Sequence, residues 1–178
     1  PTLTPATVVS RDKQIIREFV ETNARTVLKP IDGHGGKGII FVEPGDTGLM
    51  EIIQSITVSG SHWVIAQEYL GAATEGDKRI LLLNGQPLGA VLRLHAEGEE
   101  LNNLDQGGTA LASEITDRDR EICSTLKDDL CNAGVVFAGI DIIGGMLMEI
   151  NITSPTGLQE MCRFDDCAYH EEIVDSLN

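Results

Sequence analysis

The sequence predicts an α+β fold in two lobes, each a mostly antiparallel sheet with helices packed against it. Strand-forming segments come in consecutive pairs joined by short glycine-containing turns, and such pairs form antiparallel hairpins. Segments whose apolar residues recur at helical spacing separate those pairs. The 178 residues, 42% of them apolar, suffice for one sizeable core or two small ones. We expect lobes over residues 1–70 and 71–178.

Charge and apolar patterning exclude several classes of protein. Lys and Arg total 13 against 28 Asp and Glu, and a net charge of −15 argues against general nucleic-acid binding. The longest apolar runs, such as Ile80–Leu83, are far shorter than a bilayer span, and no basic-then-apolar leader opens the chain. Four cysteines without a C-x-x-C pair indicate reduced thiols. We therefore expect a cytoplasmic protein that binds neither nucleic acid nor membrane.

The first lobe is predicted to contain two helices and three strands. Residues Asp12–Thr22 and Asp46–Ser59 carry apolar side chains at helical spacing. The β-branched run Thr26–Pro30 predicts a strand, Ile39–Val42 predicts a second, and Trp63–Leu70 predicts a third. The chain between the first two strands is rich in glycine, so these strands form a hairpin around a glycine loop.

That glycine loop formally matches G-x-G-x-x-G through Gly33, Gly35 and Gly38. A dinucleotide-binding loop requires a helix after the last glycine, whereas a strand follows here, and the residues after Gly38 do not fit a Walker A loop. Two interpretations remain open: a mobile surface hairpin without a ligand, or a flap whose N–H groups approach phosphate oxygens. Lys29 before the loop and Lys37 within it favour phosphate.

The second lobe is predicted to open with a hairpin of Asp77–Leu83 and Pro87–Leu94, joined by an Asn84-Gly85 turn. Strand alternation leaves two orientations open for Arg79 and Arg93, which face each other across a cleft or face solvent.

Residues 95–114 lack periodicity, and a loop of this length is typical of an active-site lid. A helix is predicted over Asp117–Asn132, with Thr116 as its N-cap and Gly134 just past its end. Two short helices are expected in Thr156–Asn178.

A last pair of predicted strands, Gly139–Ile143 and Met146–Asn151, carries oxygen-bearing side chains in an otherwise apolar sequence. These side chains are those of Asp141, Glu149 and Asn151. A strict two-residue turn at Gly144-Gly145 sends Asp141 and Glu149 to opposite faces, whereas a bulged or three-residue loop aligns all three. Aligned, they predict a Mg²⁺ site, because Mg²⁺ prefers oxygen ligands and buried carboxylates need a compensating cation. The alternative, acids at a wet sheet edge, stays open.

Taken in order, these segments resemble the ATP-grasp superfamily, and specifically the bacterial glutathione synthetase family, over nearly all 178 residues. The resemblance rests on six ordered segments: Thr7–Lys13, Leu28–Gly36, Ala66–Leu70, Gly76–Arg79, Gly139–Gly144 and Glu149–Thr156. It implies the ATP-grasp fold, in which the two lobes hold ATP and Mg²⁺, or Mn²⁺, between them. The implied nucleotide-binding residues are Lys13 and Lys29 at the phosphates, Gly33, Gly35, Gly36 and Gly38 in the flap, Gln67, Glu68, Tyr69 and Leu70 at the adenine, and Asp77. The implied metal ligands are Asp141, Glu149 and Asn151.

The resemblance also implies the reaction. The cysteinyl carboxylate of γ-glutamylcysteine becomes an acyl phosphate, and the amine of glycine attacks it to give glutathione, ADP and phosphate. Phosphoryl transfer depends on positioned cations, and Arg79 and Arg93 are the implied catalytic residues. The implied substrate residues are Asn103, Gly107, Gly108, Ser154 and Thr156. Full-length members are expected to be homo-oligomers.

Two positions depart from the family pattern, because Leu101 and Thr109 stand where an arginine is usual. The family also begins with an N-terminal domain that helps to form the substrate pocket, and this chain, which opens at Pro1, is expected to lack it. Two alternatives therefore stay open: another ATP-grasp peptide ligase, of the glutamate-adding type, or an ATP-binding module without catalysis.

Overall fold

A computed structural model of the chain describes residues 2–33, 37–94 and 108–177. The chain divides into two compact units, Thr4–Gly71 and Ala72–Asn178 together with Pro1–Leu3. Each unit has an antiparallel sheet and helices, which confirms the α+β class. Within the described residues, no helix is both long enough and apolar enough to cross a membrane.

The unit Thr4–Gly71 contains a four-stranded antiparallel sheet in the order β1-β4-β2-β3. Its strands are β1 Thr7–Ser10, β2 Thr26–Pro30, β3 Ile40–Val42 and β4 Val64–Glu68, and its helices are α1 Lys13–Thr22 and α2 Leu49–Ile56. The β2–β3 pairing confirms the predicted hairpin around the glycine loop.

Helix α1 shows why this part of the sequence could be predicted. Asp12 caps the helix by accepting a hydrogen bond from the Gln14 N–H at 2.8 Å. Ile16 and Val20, one turn apart, are fully buried and pack with Leu28 and Val64 of the sheet. One face of the sheet thus forms the core of this unit.

The second unit contains a five-stranded antiparallel sheet in the order β7-β6-β5-β8-β9. Its strands are β5 Asp77–Leu83, β6 Gln86–Leu94, β7 Thr109–Ala112, β8 Phe137–Ile143 and β9 Met146–Asn151. Its α-helices are α3 Asp117–Asn132, α4 Leu158–Asp165 and α5 Tyr169–Asp175, and a 3₁₀ helix over Gly71–Glu75 precedes β5.

Both faces of this second sheet are covered. Side chains of α3, among them Ile122 and Leu126, pack with Ile80 and Ile140 on one face. On the other face, fully buried Met161 of α4 packs with neighbours from β5 and β6. Successive residues of β5 therefore point into two different environments.

Strand β7 corrects the sequence prediction for residues 95–114. Thr109–Ala112 forms a strand that pairs with β6 between Val91 and Leu94. The segment is short and offers two alanines, so it carries no alternation strong enough to be recognised, and pairing along the edge of β6 decides its conformation. The rest of the predicted lid, through residue 107, lies outside the described residues.

Candidate active site

The β8–β9 hairpin has a register that brings the three predicted oxygen-bearing side chains to one face. Gly144 and Gly145 form a two-residue turn with φ of +56° and +75°, and Ile142 pairs with Leu147. A bulge then shifts the register, so that Asp141 pairs with Glu149 and Gly139 with Asn151. Of the alternatives that the sequence left open, the bulged hairpin is the one that forms.

A buried cluster of ionic groups extends from Asp141 across three strands. Arg79 donates to both carboxylate oxygens of Asp141, through Nε to Oδ1 and through Nη2 to Oδ2 at 2.8 Å. Arg93 Nη2 lies 2.8 Å from the same Oδ2 and donates to Asp77 Oδ2 at 2.9 Å, while its Nε donates to Asp77 Oδ1 at 2.5 Å. Bidentate pairs of this kind fix the geometry of guanidinium and carboxylate together.

Strand pairing explains this cluster. Arg79 pairs with Asp141 across β5 and β8, and Asp77 pairs with Arg93 across β5 and β6. Residues opposite each other in antiparallel strands share a face, so all four side chains project to the face that α4 covers farther along. Neither orientation predicted for the arginines is correct, because they lie side by side and Arg79 is only 5% exposed.

The two carboxylates of the cluster have opposite pKa shifts. Burial raises the pKa of Asp141, but the hydrogen bonds and charges of Arg79 and Arg93 outweigh it, and the net pKa is lowered. Burial also raises the pKa of Asp77, and there it prevails over the attraction of Arg93, so that the pKa is about 6. Among the described residues, Asp141 has two guanidinium partners, whereas Asp77 has one, Arg93, which it shares with Asp141.

The segment after β9 is held against the same cluster. Arg79 Nη1 donates to the Thr156 carbonyl oxygen at 3.2 Å, and Asn151 Oδ1 accepts from the Ser154 N–H at 3.4 Å. Of the predicted substrate residues, Thr156 thus touches the cluster with its backbone. Gly139 is a site residue whose packing role the sequence reasoning missed: a Cβ there would lie 2.6 Å from Pro155 Cβ. The available signal was a glycine inside a strand, which often marks a close approach.

The donor set suits a divalent cation in chemical type. Asp141 and Glu149 supply carboxylate oxygens and Asn151 an amide oxygen, the ligands that Mg²⁺ prefers. Among residues 2–33, 37–94 and 108–177, no group of three or more His, Cys, Asp and Glu side chains is placed to hold a metal by itself. A metal site at Asp141 and Glu149 therefore depends on the amide oxygen of Asn151 or on oxygens of a bound small molecule.

In the unit Thr4–Gly71, the structure joins two of the predicted nucleotide-binding residues. Lys29 Nζ donates to Gln67 Oε1 at 2.7 Å, and Gln67 Nε2 donates to Thr7 Oγ1 at 3.0 Å. These side chains lie on the sheet face opposite the core, because Leu28 and Ala66 beside them are buried in it. Lys13 is exposed in the first turn of α1.

In the segment after β4, which is predicted to contact adenine, two backbone N–H groups already donate hydrogen bonds within the protein. The Glu68 N–H donates to the Ala6 carbonyl oxygen and the Tyr69 N–H to the Arg25 carbonyl oxygen, both at 2.9 Å. The Arg25 guanidinium lies 4.5 Å from the Tyr69 ring centroid, a cation–π contact that orients the ring. Leu70 is half-buried.

The backbone conformation explains why two positions of the predicted flap are glycine. The Gly33 N–H donates to the Pro30 carbonyl oxygen at 3.2 Å, and a Cβ on Gly33 would lie 3.2 Å from that oxygen. Gly38 has φ of +76°, which L side chains rarely adopt. Gly108, a predicted substrate residue, is half-buried just before β7. Five predicted or departing positions lie outside the described residues: Gly35, Gly36, Leu101, Asn103 and Gly107.

Comparison with known sequences gives a consistent result. The sequence model of the prokaryotic glutathione synthetase ATP-grasp domain matches residues 1–166. The glutathione synthetase of Thermosynechococcus vestitus is 49% identical over 170 residues, covering 96% of this chain and 54% of the relative. That of a Nostoc species is 46% identical over 170 residues, covering 96% and 52%. The chain thus spans about half the length of the curated relatives it matches.

Solved structures share the fold. The D-cycloserine synthetase DcsG superposes with a TM-score of 0.69 at 18% identity, covering 96% of this chain and 65% of that one. The ATP-grasp ligase PsnB, in a complex with a precursor variant, Mg and ADP, gives a TM-score of 0.65 at 17% identity, with coverage of 98% and 52%. At these identities the likeness concerns the fold alone.

Proposed function

Because the chain belongs to the prokaryotic glutathione synthetase ATP-grasp family, we propose that it is the nucleotide-binding part of a glutathione synthase. The reaction is the ATP-dependent joining of γ-glutamylcysteine and glycine, with release of ADP and phosphate. The observation that carries the proposal is the alignment of Asp141, Glu149 and Asn151 beside Arg79 and Arg93. The identity to curated glutathione synthetases supports this choice of substrates over those of other carboxylate–amine ligases.

The proposed chemistry needs cations where negative charge accumulates. A carboxylate becomes an acylating agent only after phosphorylation, and phosphoryl transfer depends mainly on positioning and electrostatic stabilisation. We propose that Arg79 and Arg93 supply this charge in the second unit. In this structure their partners are Asp77 and Asp141, so phosphate oxygens take over some of those hydrogen bonds when nucleotide binds.

Metal binding depends on the same exchange, in which Arg79 and Arg93 release Asp141 and bind phosphate oxygens instead. Asp141, Glu149 and Asn151 would hold Mg²⁺ or Mn²⁺, which would supply positive charge to phosphate oxygens. Both oxygens of Asp141 accept from guanidinium groups here, so a cation must compete with Arg79 and Arg93 for them. Nucleotide lowers this competition because its phosphates offer the arginines new acceptors. The proposal therefore expects metal and nucleotide to bind cooperatively.

We assign the remaining phosphate contacts and the adenine contacts to residues of the unit Thr4–Gly71. Lys13 and Lys29 bind phosphates, with Lys29 leaving Gln67 or sharing it, and the flap that contains Gly33, Gly35, Gly36 and Gly38 supplies N–H donors. The segment Gln67–Leu70 contacts adenine. In the second unit, Asp77 acts on nucleotide through its hold on Arg93.

The proposal also covers the substrate-binding residues, the oligomeric state and the cellular compartment. Asn103, Gly107, Gly108, Ser154 and Thr156 hold γ-glutamylcysteine, and the full-length protein is a homo-oligomer. The four cysteines are free thiols, which favours a reducing compartment, and we propose the cytoplasm.

A chimaera tests this function directly. The matched segment of the Thermosynechococcus vestitus enzyme is replaced by this chain, and ADP release is measured with ATP, Mg²⁺, γ-glutamylcysteine and glycine. The proposal expects ADP release that requires both γ-glutamylcysteine and glycine, because the acyl phosphate forms on one and is consumed by the other. The matched control carries the equivalent Nostoc segment, which reports whether the junctions tolerate replacement. An active control beside a chimaera that binds ATP without substrate-dependent ADP release contradicts the proposal.

A further inference from the structure

The corner between α4 and α5 holds two cysteines and a histidine within nine residues: Cys162, Cys167 and His170. Helix α4 ends at Asp165, and Asp166 then adopts the left-handed conformation with φ of +51°. The N–H groups of Asp166 and Cys167 both donate to the Cys162 carbonyl oxygen, the latter at 3.2 Å. This six-residue helix ending commonly brings the side chains of its first and sixth residues together. Those residues are the two cysteines.

Backbone geometry places the pair within reach of a disulfide. With standard bond lengths, the 3.2 Å hydrogen bond limits the distance between the Cα atoms of Cys162 and Cys167 to about 7 Å. The bends at the carbonyl and amide groups shorten this distance into the range of about 4.4–6.8 Å that disulfides span.

The two thiols differ in exposure and surroundings. Cys167 is exposed, and its Sγ lies 3.3 Å from the Asp165 carbonyl oxygen. Cys162 is half-buried, and its Sγ lies 3.9 Å from Nδ1 of His170. An outside reagent therefore meets Cys167 first, while Cys162 has an imidazole nitrogen beside it that can accept its proton.

Packing keeps this corner in place. Met161, next to Cys162, is fully buried against β5 and β6. Tyr169 Oη donates to Asp165 Oδ2 at 2.8 Å, and a Cβ on Gly89 would lie 3.1 Å from the Tyr169 ring. The helix ends thus rest directly on β6, which holds the two cysteines at their present separation.

We propose that Cys162 and Cys167 form a reversible dithiol–disulfide site that reacts with small disulfides. The Cys167 thiolate, which has lost its proton to water, attacks one sulfur of a disulfide RSSR. The S–S bond breaks, a Cys167–SR bond forms, and the released thiolate takes up a proton from water to give one thiol. The Cys162 sulfur, having given its proton to His170, then attacks Cys167 Sγ and releases the second thiol. Two protein thiols are oxidised and one disulfide is reduced to two thiols.

Local charge selects the class of disulfide. Five carboxylates lie close to the pair along the chain, those of Glu160, Asp165, Asp166, Glu171 and Glu172. Arg163, the basic residue at the end of α4, pairs with Glu160 at 3.3 Å. This surface attracts a cationic disulfide and repels an anionic one, so we expect cystamine to react about tenfold faster than glutathione disulfide at low salt.

The test treats the folded chain with cystamine and maps its cysteines by mass spectrometry. The expected product has lost two hydrogen atoms and contains a Cys162–Cys167 link that dithiothreitol reverses. Cys162→Ser should trap one cysteamine on Cys167, and His170→Gln should let that mixed disulfide accumulate in the otherwise native chain. Cys131→Ser is the matched control, since Cys131 is an exposed thiol on α3, and it should leave the link unchanged.

Two results would overturn the proposal. One is a native chain that keeps cysteamine on Cys167 while Cys162 stays free to alkylation. The other is a link whose formation Cys131→Ser abolishes. A circular dichroism spectrum for each variant identifies any that fails to fold, and His170→Gln changes no cysteine, so the trapping step is measured in a chain with all four thiols.

Discussion

Two buried ionic clusters lie back to back on strand β5, and they differ in what holds them. Lys78 and Arg79 are consecutive, so they point to opposite faces. Lys78 Nζ donates to Asp119 Oδ2 at 2.7 Å beneath α3, and that oxygen also accepts from the Thr116 N–H at 2.9 Å. On the other face, Asp141 accepts from Arg79 and Arg93.

The difference separates a structural pair from one that can change partners. Asp119 belongs to the capping box of α3, where its own N–H donates to Thr116 Oγ1, so its carboxylate is committed to a helix end. Asp141 is held by the side chains of Arg79 and Arg93, and under the proposed function nucleotide phosphates replace it as their acceptor. A buried charge pair on a sheet is therefore a candidate for ligand exchange when side chains alone hold it.

The largest expected loss of stability follows a substitution on the sheet face that carries Asp141. Asp141→Asn leaves two buried guanidinium groups with one carboxylate between them, and breaking a buried pair in this way costs about 3–5 kcal/mol of unfolding free energy. Urea denaturation measures the loss. A change below about 1 kcal/mol would contradict the buried cluster.

The pH dependence of stability sharpens the contrast within that cluster. The pKa of Asp77 is about 6, above its ordinary value, so its contribution to stability is present at low pH and lost as pH rises from about 4 through 6. The lowered pKa of Asp141 works in the opposite direction, and its contribution is lost as pH falls below about 4. Relative to Asp77→Asn, the native chain should therefore lose about 2–3 kcal/mol between pH 4 and pH 7. Parallel stability curves for the two proteins would show that Asp77 has no raised pKa.

The matched change on the other face should cost less. Asp119→Asn keeps an acceptor for Thr116, and Lys78, whose side chain is 18% exposed, can still reach water. We expect a loss of about 1–2 kcal/mol by urea denaturation and no change in affinity for ATP with Mg²⁺. Weaker ATP binding by Asp119→Asn would contradict the distinction between a structural cluster around Asp119 and a ligand-binding cluster around Asp141.

The parts of the fold that local signals specify could be predicted from the sequence. The N-cap Thr116, the span Asp117–Asn132 and the position of Gly134 just past the helix end all agree with the structure. The short strand β7 was missed because its four residues gain their conformation from pairing with β6.

The candidate site could be predicted only in part. Strand alternation left two orientations open for Arg79 and Arg93, because the partner of each arginine depends on the strand order β6-β5-β8, which no local pattern specifies. The alignment of Asp141 with Glu149 depends on one bulge, and the sequence allowed the hairpin with or without it. Which residues share a site was therefore decided by tertiary pairing.

The most direct test of the account is calorimetric titration of ATP, with and without Mg²⁺, into the chain and into Glu149→Ala. Glu149 is exposed, so its removal should change the unfolding free energy by less than about 0.5 kcal/mol. We predict Mg²⁺-dependent ATP binding by the native chain and loss of the Mg²⁺ dependence in Glu149→Ala, with Asp119→Asn binding like the native chain. Equal Mg²⁺-dependent affinity in Glu149→Ala and the native chain would contradict the proposed site.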